Sequence, residues 1–153
     1  MSRLETRVPP PVWALFVAVA MFGVNRLGAV WSIGSWGRTV GLVLAMVGLG
    51  FSVAGIAGFT RAGTTVDPHA PAKASALVDT GVYRVTRNPM YLGLALLLLG
   101  WGSGLRDPLV AIVGSGVFVA LITRLQILPE ERILRDRFGA AYDAFCARTR
   151  RWL

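Results

Sequence analysis

The sequence predicts an all-α polytopic membrane protein, with about four transmembrane helices and a C-terminal cytoplasmic amphipathic helix. Three observations carry that prediction. Hydrophobic residues make up 54% of the 153 residues and charged residues 16%, whereas soluble domains carry roughly a quarter charged residues. The mean hydropathy is +0.58. Long apolar segments divide the chain, and the basic residues gather between them rather than inside them.

The first segment, Val12 to Val24, is short for a span and stops at Asn25-Arg26. It reaches about residues 12–26, and tilting or continuation toward Trp31 would lengthen it. Arg3 and Arg7 ahead of a run ending Ala18-Val19-Ala20 also fit a signal peptide. The other segments already commit the chain to the bilayer, however, and a retained first helix gives an even count. The second segment, Thr39 to Thr60, is 22 residues without a charge. At about 1.5 Å per residue it crosses a hydrocarbon core of about 30 Å. The third runs from Pro89 to Leu105 and the fourth from Pro108 to Thr123, ending at Arg124. Only Arg106-Asp107 separates them, which predicts a tight antiparallel hairpin. Small residues at four-residue spacing, Gly50, Ala54 and Gly58 in the second segment and Gly100 and Gly104 in the third, mark the expected helix contacts.

Charge sets the orientation. With four spans, one side carries Arg3, Arg7, Arg61, Lys73, Arg84, Arg87, Arg124, Arg132, Arg135, Arg137, Arg148, Arg150 and Arg151. The other side carries Arg26, Arg38 and Arg106. The positive-inside rule then places both chain ends and the 61–88 loop in the cytoplasm, with the protein in the cell inner membrane. A net charge of +8 between apolar runs points to anionic lipid headgroups as neighbours, and no nucleic-acid partner is expected. The single cysteine, Cys146, excludes an internal disulfide and a multi-cysteine metal site. The chain has no P-loop and no dinucleotide fingerprint, and no metal is expected.

Polar residues concentrate in two cytoplasmic stretches, 61–91 and 124–153. In the first, Asn88 followed by Pro89 predicts a helix start, with Asn as N-cap and Pro at the first helical position. Free N–H groups there, beside Arg84 and Arg87, suit an anion. Topology alone also accounts for those two arginines, and His69 reads as a solvated loop residue. In the second stretch, Pro129 predicts a kink or restart that puts Glu130 and Glu131 in a first turn. Glu131 can pair with Arg135, whereas Glu130 has no local partner and suits a cationic ligand. Leu134, Phe138, Ala141, Tyr142 and Phe145 follow helical spacing, which predicts an apolar face lying on the membrane or closing over a pocket.

Four motifs in order carry a resemblance: Gly81-Val82-Tyr83, then Arg87-Asn88-Pro89-Met90-Tyr91-Leu92-Gly93, then Glu130-Glu131, then Phe138-Gly139-Ala140-Ala141-Tyr142-Asp143-Ala144-Phe145. Over roughly residues 61–153 the chain resembles the isoprenylcysteine carboxyl methyltransferase family of integral membrane enzymes, which is related to the phospholipid methyltransferases. The resemblance implies one membrane methyltransferase domain over 1–153, with cofactor-site elements at 61–88 and 125–153. It implies S-adenosylmethionine as methyl donor, bound at the cytoplasmic face and shielded by the C-terminal segment. By position it assigns cofactor contacts to Leu77, Val78, Tyr83, Asn88, Pro89, Tyr91 and Glu130. Arg87, Arg124, Gln126 and Glu131 are further candidates for cofactor or substrate contact.

Residue types agree with that assignment. A sulfonium and an ammonium favour carboxylates and aromatic faces, and a carboxylate favours arginine and helix N–H groups. Methyl displacement needs alignment and water exclusion more than acid–base help, so no catalytic residue is assigned. Two positions depart from the family pattern. Asn88 stands where many relatives have histidine, and Gln126 stands where prenylcysteine-processing relatives place an arginine for the substrate carboxylate. The expected acceptor is therefore a lipophilic small molecule or lipid offering a carboxylate, thiol or amine. The alternative is a non-catalytic membrane protein, a ligand binder or assembly partner, that keeps the scaffold.

Overall fold

The computed structural model describes residues 8–28, 32–63 and 76–153. Arg3, Arg7, His69, Lys73 and the continuation toward Trp31 lie outside the described residues. Among the described residues the protein is all-helical, without a strand. The helices are α1 (Pro10–Arg26), α2 (Trp36–Arg61), α3 (Pro89–Gly104), α4 (Pro108–Ile122), α5 (Leu128–Phe138) and α6 (Ala140–Arg148). A 3-10 turn at Gly81–Arg84 precedes α3, and a π turn at Thr123–Ile127 joins α4 to α5. Two helical runs, Trp36–Arg61 and Pro108–Phe138, are long and apolar enough to cross a membrane, while α1 and α3 are shorter apolar helices.

α3 is the central helix, with α2 on one side and α1 and α4 packed against it and each other. Val17 and Met21 of α1, Ala95 and Leu98 of α3, and Val110, Phe118 and Ile122 of α4 share one core. Trp101 ties α3 to α1 by donating its indole N–H to the Ala18 carbonyl at 3.1 Å. The outward side chains of α1, α2 and α4, such as Phe16, Leu42 and Ile112, are exposed aliphatics and aromatics, as a lipid-facing surface requires.

The contact between α2 and α3 runs on glycine, through the expected Gly100 and Gly104 of α3 but not through the expected Gly50 and Ala54 of α2. Gly50 has open space at its Cβ position and Ala54 is exposed. The buried stripe is Gly37, Gly41, Gly48 and Gly55. A Cβ on Gly41 would lie 2.5 Å from the Gly100 carbonyl, and one on Gly48 would lie 2.6 Å from the Gly93 carbonyl. Positions 41, 48 and 55 repeat every seven residues, the period that keeps one seam facing its partner in a left-handed pair. Gly100 belongs to this seam, and Gly104 meets it through its backbone beside Gly41.

The predicted hairpin closes as a tight helix stop followed directly by a helix start. Arg106 sits in the left-handed region, φ 65°, and donates its N–H to Ser103 at 2.9 Å, while Asp107 donates to Gly102 at 3.4 Å. These bonds satisfy the last carbonyls of α3, with arginine where glycine is usual. The fully buried Asp107 then caps α4, its Oδ1 accepting from Leu109 N at 3.1 Å and Val110 N at 3.2 Å. Asp107→Ala should lower stability by about 1–2 kcal/mol. Thermal unfolding in detergent measures it, and an unchanged midpoint would show that the cap is dispensable.

Pro129 restarts the helix without ending it: α5 begins at Leu128, with Glu130 and Glu131 in its first turn. The missing N–H and the ring of the proline disfavour an α turn before it, and the chain widens into the π turn, in which the Leu128 N–H reaches the Thr123 carbonyl. Helical structure therefore continues unbroken from α4 into α5. The break comes ten residues later, at Gly139 with φ 51°, so the predicted amphipathic helix is two helices, α5 and α6. Ala141 is exposed and leaves the apolar face. Leu134, Phe138, Tyr142 and Phe145 keep to it, clustering with Val78, Tyr83 and Phe59.

Candidate functional site

At the end of the bundle where α2 and α4 finish, α5 and α6 fold back over the segment before α3. A cavity of about 670 Å³, counted out to its open mouth, lies between them. Its enclosed part is about 100 Å³. Leu77, Val78, Tyr83, Asn88, Pro89, Tyr91 and Glu130 all line it, as do Arg87 and Glu131. Arg124 and Gln126 are not among its lining residues. Arg124 is exposed. Gln126 is fully buried and donates its Nε2 to the Val8 carbonyl at 2.7 Å. Phe59, Ala76, Met90, Ile127, Leu134, Tyr142 and Phe145 complete the wall.

Tyr83 is buried by the 3-10 turn against α2. Its Oη donates to the Gly55 carbonyl at 3.4 Å, and its ring meets Phe59 edge-on at 5.5 Å. A Cβ on Gly58 would come within 3.0 Å of the same ring, so glycine at 58 allows the tyrosine to seat. Tyr91, in the first turn of α3, donates its Oη to Glu130 Oε1 at 2.6 Å. Withdrawal from bulk water pushes the Glu130 carboxyl up to about 7; the Tyr91 hydrogen bond opposes that rise and the charge of Glu131 adds to it. Burial, and next the charge on Glu130, raises the Tyr83 phenol above its ordinary value.

The two adjacent glutamates have different environments. Glu131 receives Arg151 through two bonds, Nε to Oε1 at 2.8 Å and Nη2 to Oε2 at 2.7 Å. Arg87 Nη2 lies 3.3 Å from the same Oε1. Its expected partner, Arg135, instead binds Asp143 at 2.9 Å across the α5–α6 break. Glu130 has Tyr91 as its hydrogen-bond donor, and among the described residues no cation pairs with it. Glu131 thus holds the chain together, and Glu130 stands in the cavity wall with Tyr91 as its partner.

What Glu131 holds is the C-terminal segment. The Arg151 carbonyl accepts from Asn88 Nδ2 at 2.9 Å and Thr86 Oγ1 at 3.2 Å, and Arg87 N donates to the Arg150 carbonyl at 3.0 Å. Trp152 Nε1 donates to Thr123 Oγ1 at 3.2 Å. Asn88 therefore stands at the N-cap position with Pro89 following, but its side chain does not cap α3; the crossing tail offers it a carbonyl instead. Arg87 also donates Nη1 to the Cys146 sulfur, and its Nε is buried without a partner. Sequence reasoning missed Phe59 and Arg151. Phe59 has no signal beyond its place near the end of α2, and Arg151 is hidden in a basic run that topology already explains.

The apolar helices define an integral membrane protein, with an aromatic, carboxylate-bearing cavity at one end of them. The profile of the phospholipid methyltransferase family matches residues 36–141, and the chain belongs to that family. The match covers the seam, the hairpin and nearly all the cavity wall, and it makes membrane methyl transfer the activity of the family. An uncharacterized protein of Haemophilus influenzae is 41% identical over 64 residues, 42% of this chain and the whole of that one. No solved structure matches the chain.

Proposed function

We propose that the protein is a four-span enzyme of the cell inner membrane, both ends cytoplasmic, that transfers a methyl group from S-adenosylmethionine to a lipophilic or membrane-embedded acceptor. The observation that carries this reading is the cavity itself, where an aromatic wall, a carboxylate that no described cation pairs with and an arginine N–H with no described acceptor occur together. The carboxylate and the aromatic faces suit the sulfonium and ammonium groups of the cofactor. The free Nε–H of Arg87 and the start of α3 suit its carboxylate. Leu77, Val78 and Pro89 would line the apolar part.

When bound, S-adenosylmethionine supplies a methyl carbon activated by a positive sulfur. Glu130 would offset that charge, with Tyr91 fixing the carboxylate by its hydrogen bond. Leu134, Tyr142 and Phe145, which line the cavity, would help to exclude water from the bound cofactor. The chain contributes alignment, as an in-line displacement requires. The alternative of a non-catalytic scaffold is not favoured by membership of a methyltransferase family. Calorimetric titration of the detergent-purified protein with S-adenosylmethionine is the test, and absence of binding at millimolar cofactor would defeat the reading.

A pH dependence follows. The Glu130 carboxyl titrates near 7 in the folded protein, up from the ordinary 4.5. The folded state therefore binds more protons than the unfolded state between those values, and this group's contribution to stability falls as pH rises through that window. Cofactor binding has the opposite sign, because the cation selects the ionised carboxylate. Affinity should fall about tenfold per pH unit below 7 and level off above it. A flat profile from pH 5.5 to 8 would remove Glu130 from the charge recognition.

A further inference from the structure

The face of α2 turned away from α3 carries a groove that the cavity chemistry does not use. Gly50, Ala54 and Ala57 form its floor, and Thr80 and Val82 of the 3-10 turn region form its far wall. Positions 50, 54, 57 and 61 lie along one face of the helix, so the groove follows the axis for about 16 Å. The exposed Val53 lines it as well, and Leu49 and Ile56 are exposed on the same helix. Arg61 closes the end nearest the cytoplasmic elements and is exposed. Among the described residues no carboxylate pairs with Arg61, nor with the exposed Arg84 on the neighbouring turn.

We propose that this groove holds one acyl chain of an anionic membrane phospholipid, with the phosphate against Arg61. A groove floored by small apolar residues, ending at a guanidinium that no described carboxylate pairs with, matches a molecule that is apolar along its length and anionic at one end. The same surface fits a second copy of the chain less well. Two copies in one membrane orientation, related by a two-fold axis through the groove, would bring both Arg61 side chains together with no described carboxylate to offset them. The proposal does not depend on what the cavity binds, although the two sites share a wall: Val82 lines the groove, and Tyr83 beside it lines the cavity.

Native mass spectrometry of the full chain in detergent tests it, with dioleoyl phosphatidylglycerol, dioleoyl phosphatidylcholine and glycerol phosphate as separate probes. Wild type should retain phosphatidylglycerol about fivefold better than phosphatidylcholine, the preference one basic side chain confers at an anionic surface. Arg61→Gln should equalise the two lipids. Ala54→Phe, at an exposed position that α3 does not touch, should lower retention of both. Equal retention by wild type, or variants that change nothing, would overturn the proposal. So would glycerol phosphate binding as well as the lipid, or a dimer that Ala54→Phe dissolves.

Discussion

Glu130→Ala should weaken S-adenosylmethionine binding at least about thirtyfold, since removing one partner of a desolvated charge pair costs ~2–5 kcal/mol. The size of the effect follows from where Glu130 sits. It is the cavity carboxylate that no described cation neutralises, and its one hydrogen-bond donor, Tyr91, is neutral. Glu130→Gln keeps the side chain's shape and can still accept from Tyr91, so it isolates the charge. Its affinity should match that of wild type well below pH 7, where the wild-type carboxyl is protonated, and its pH dependence should vanish. Glu131→Gln supplies the contrast. Its side chain already serves Arg151 and Arg87, so this variant should loosen the C-terminal segment and lower the unfolding temperature while the pH profile of binding stays. Unchanged affinity in Glu130→Ala would take the residue out of the site, whatever the family match implies.

Why this much of the site was readable from sequence, and no more, has a physical explanation. Helices α1, α3 and α4 announce themselves because long apolar runs end at charges or prolines, and both signals are local. The seven residues assigned by resemblance line one cavity because six fall within residues 77–91 and the seventh is Glu130. These two places flank the α3–α4 hairpin, and a hairpin returns its two ends to the same place. The C-terminal clasp gave no such signal. Arg151 meets Glu131 twenty residues away and Asn88 sixty-three away, and no local spacing encodes such contacts. Asn88 and Glu131 were accordingly given the nearest local partners, the α3 cap and Arg135, and the tail displaced both. The split of the amphipathic helix at Gly139 was visible in the residue itself, but the apolar spacing runs straight through it.

The α2–α3 seam gives the sharpest separation between the two readings, because neighbouring glycines on one helix should behave oppositely. Gly48→Val should be severely destabilising. Its Cβ would stand 2.6 Å from the Gly93 carbonyl and 3.1 Å from Leu97 N, and these backbone atoms cannot rotate away as a side chain can. Relief requires moving α2 off α3, at the upper end of the ~1–3 kcal/mol typical of overpacking or beyond it. Gly50→Val, two residues on, meets nothing within 4 Å and should leave the unfolding midpoint within error. The damage at 48 should also reach the cavity, because Phe59 comes from α2 while Pro89, Met90 and Tyr91 come from α3. A shift along the seam pulls one wall from the other. Gly48→Val protein that still folds should therefore bind S-adenosylmethionine more weakly, although residue 48 does not line the cavity. Thermal unfolding and calorimetry on the pair decide it. Equal stability of the two variants would mean that the seven-residue glycine seam does not hold these helices together.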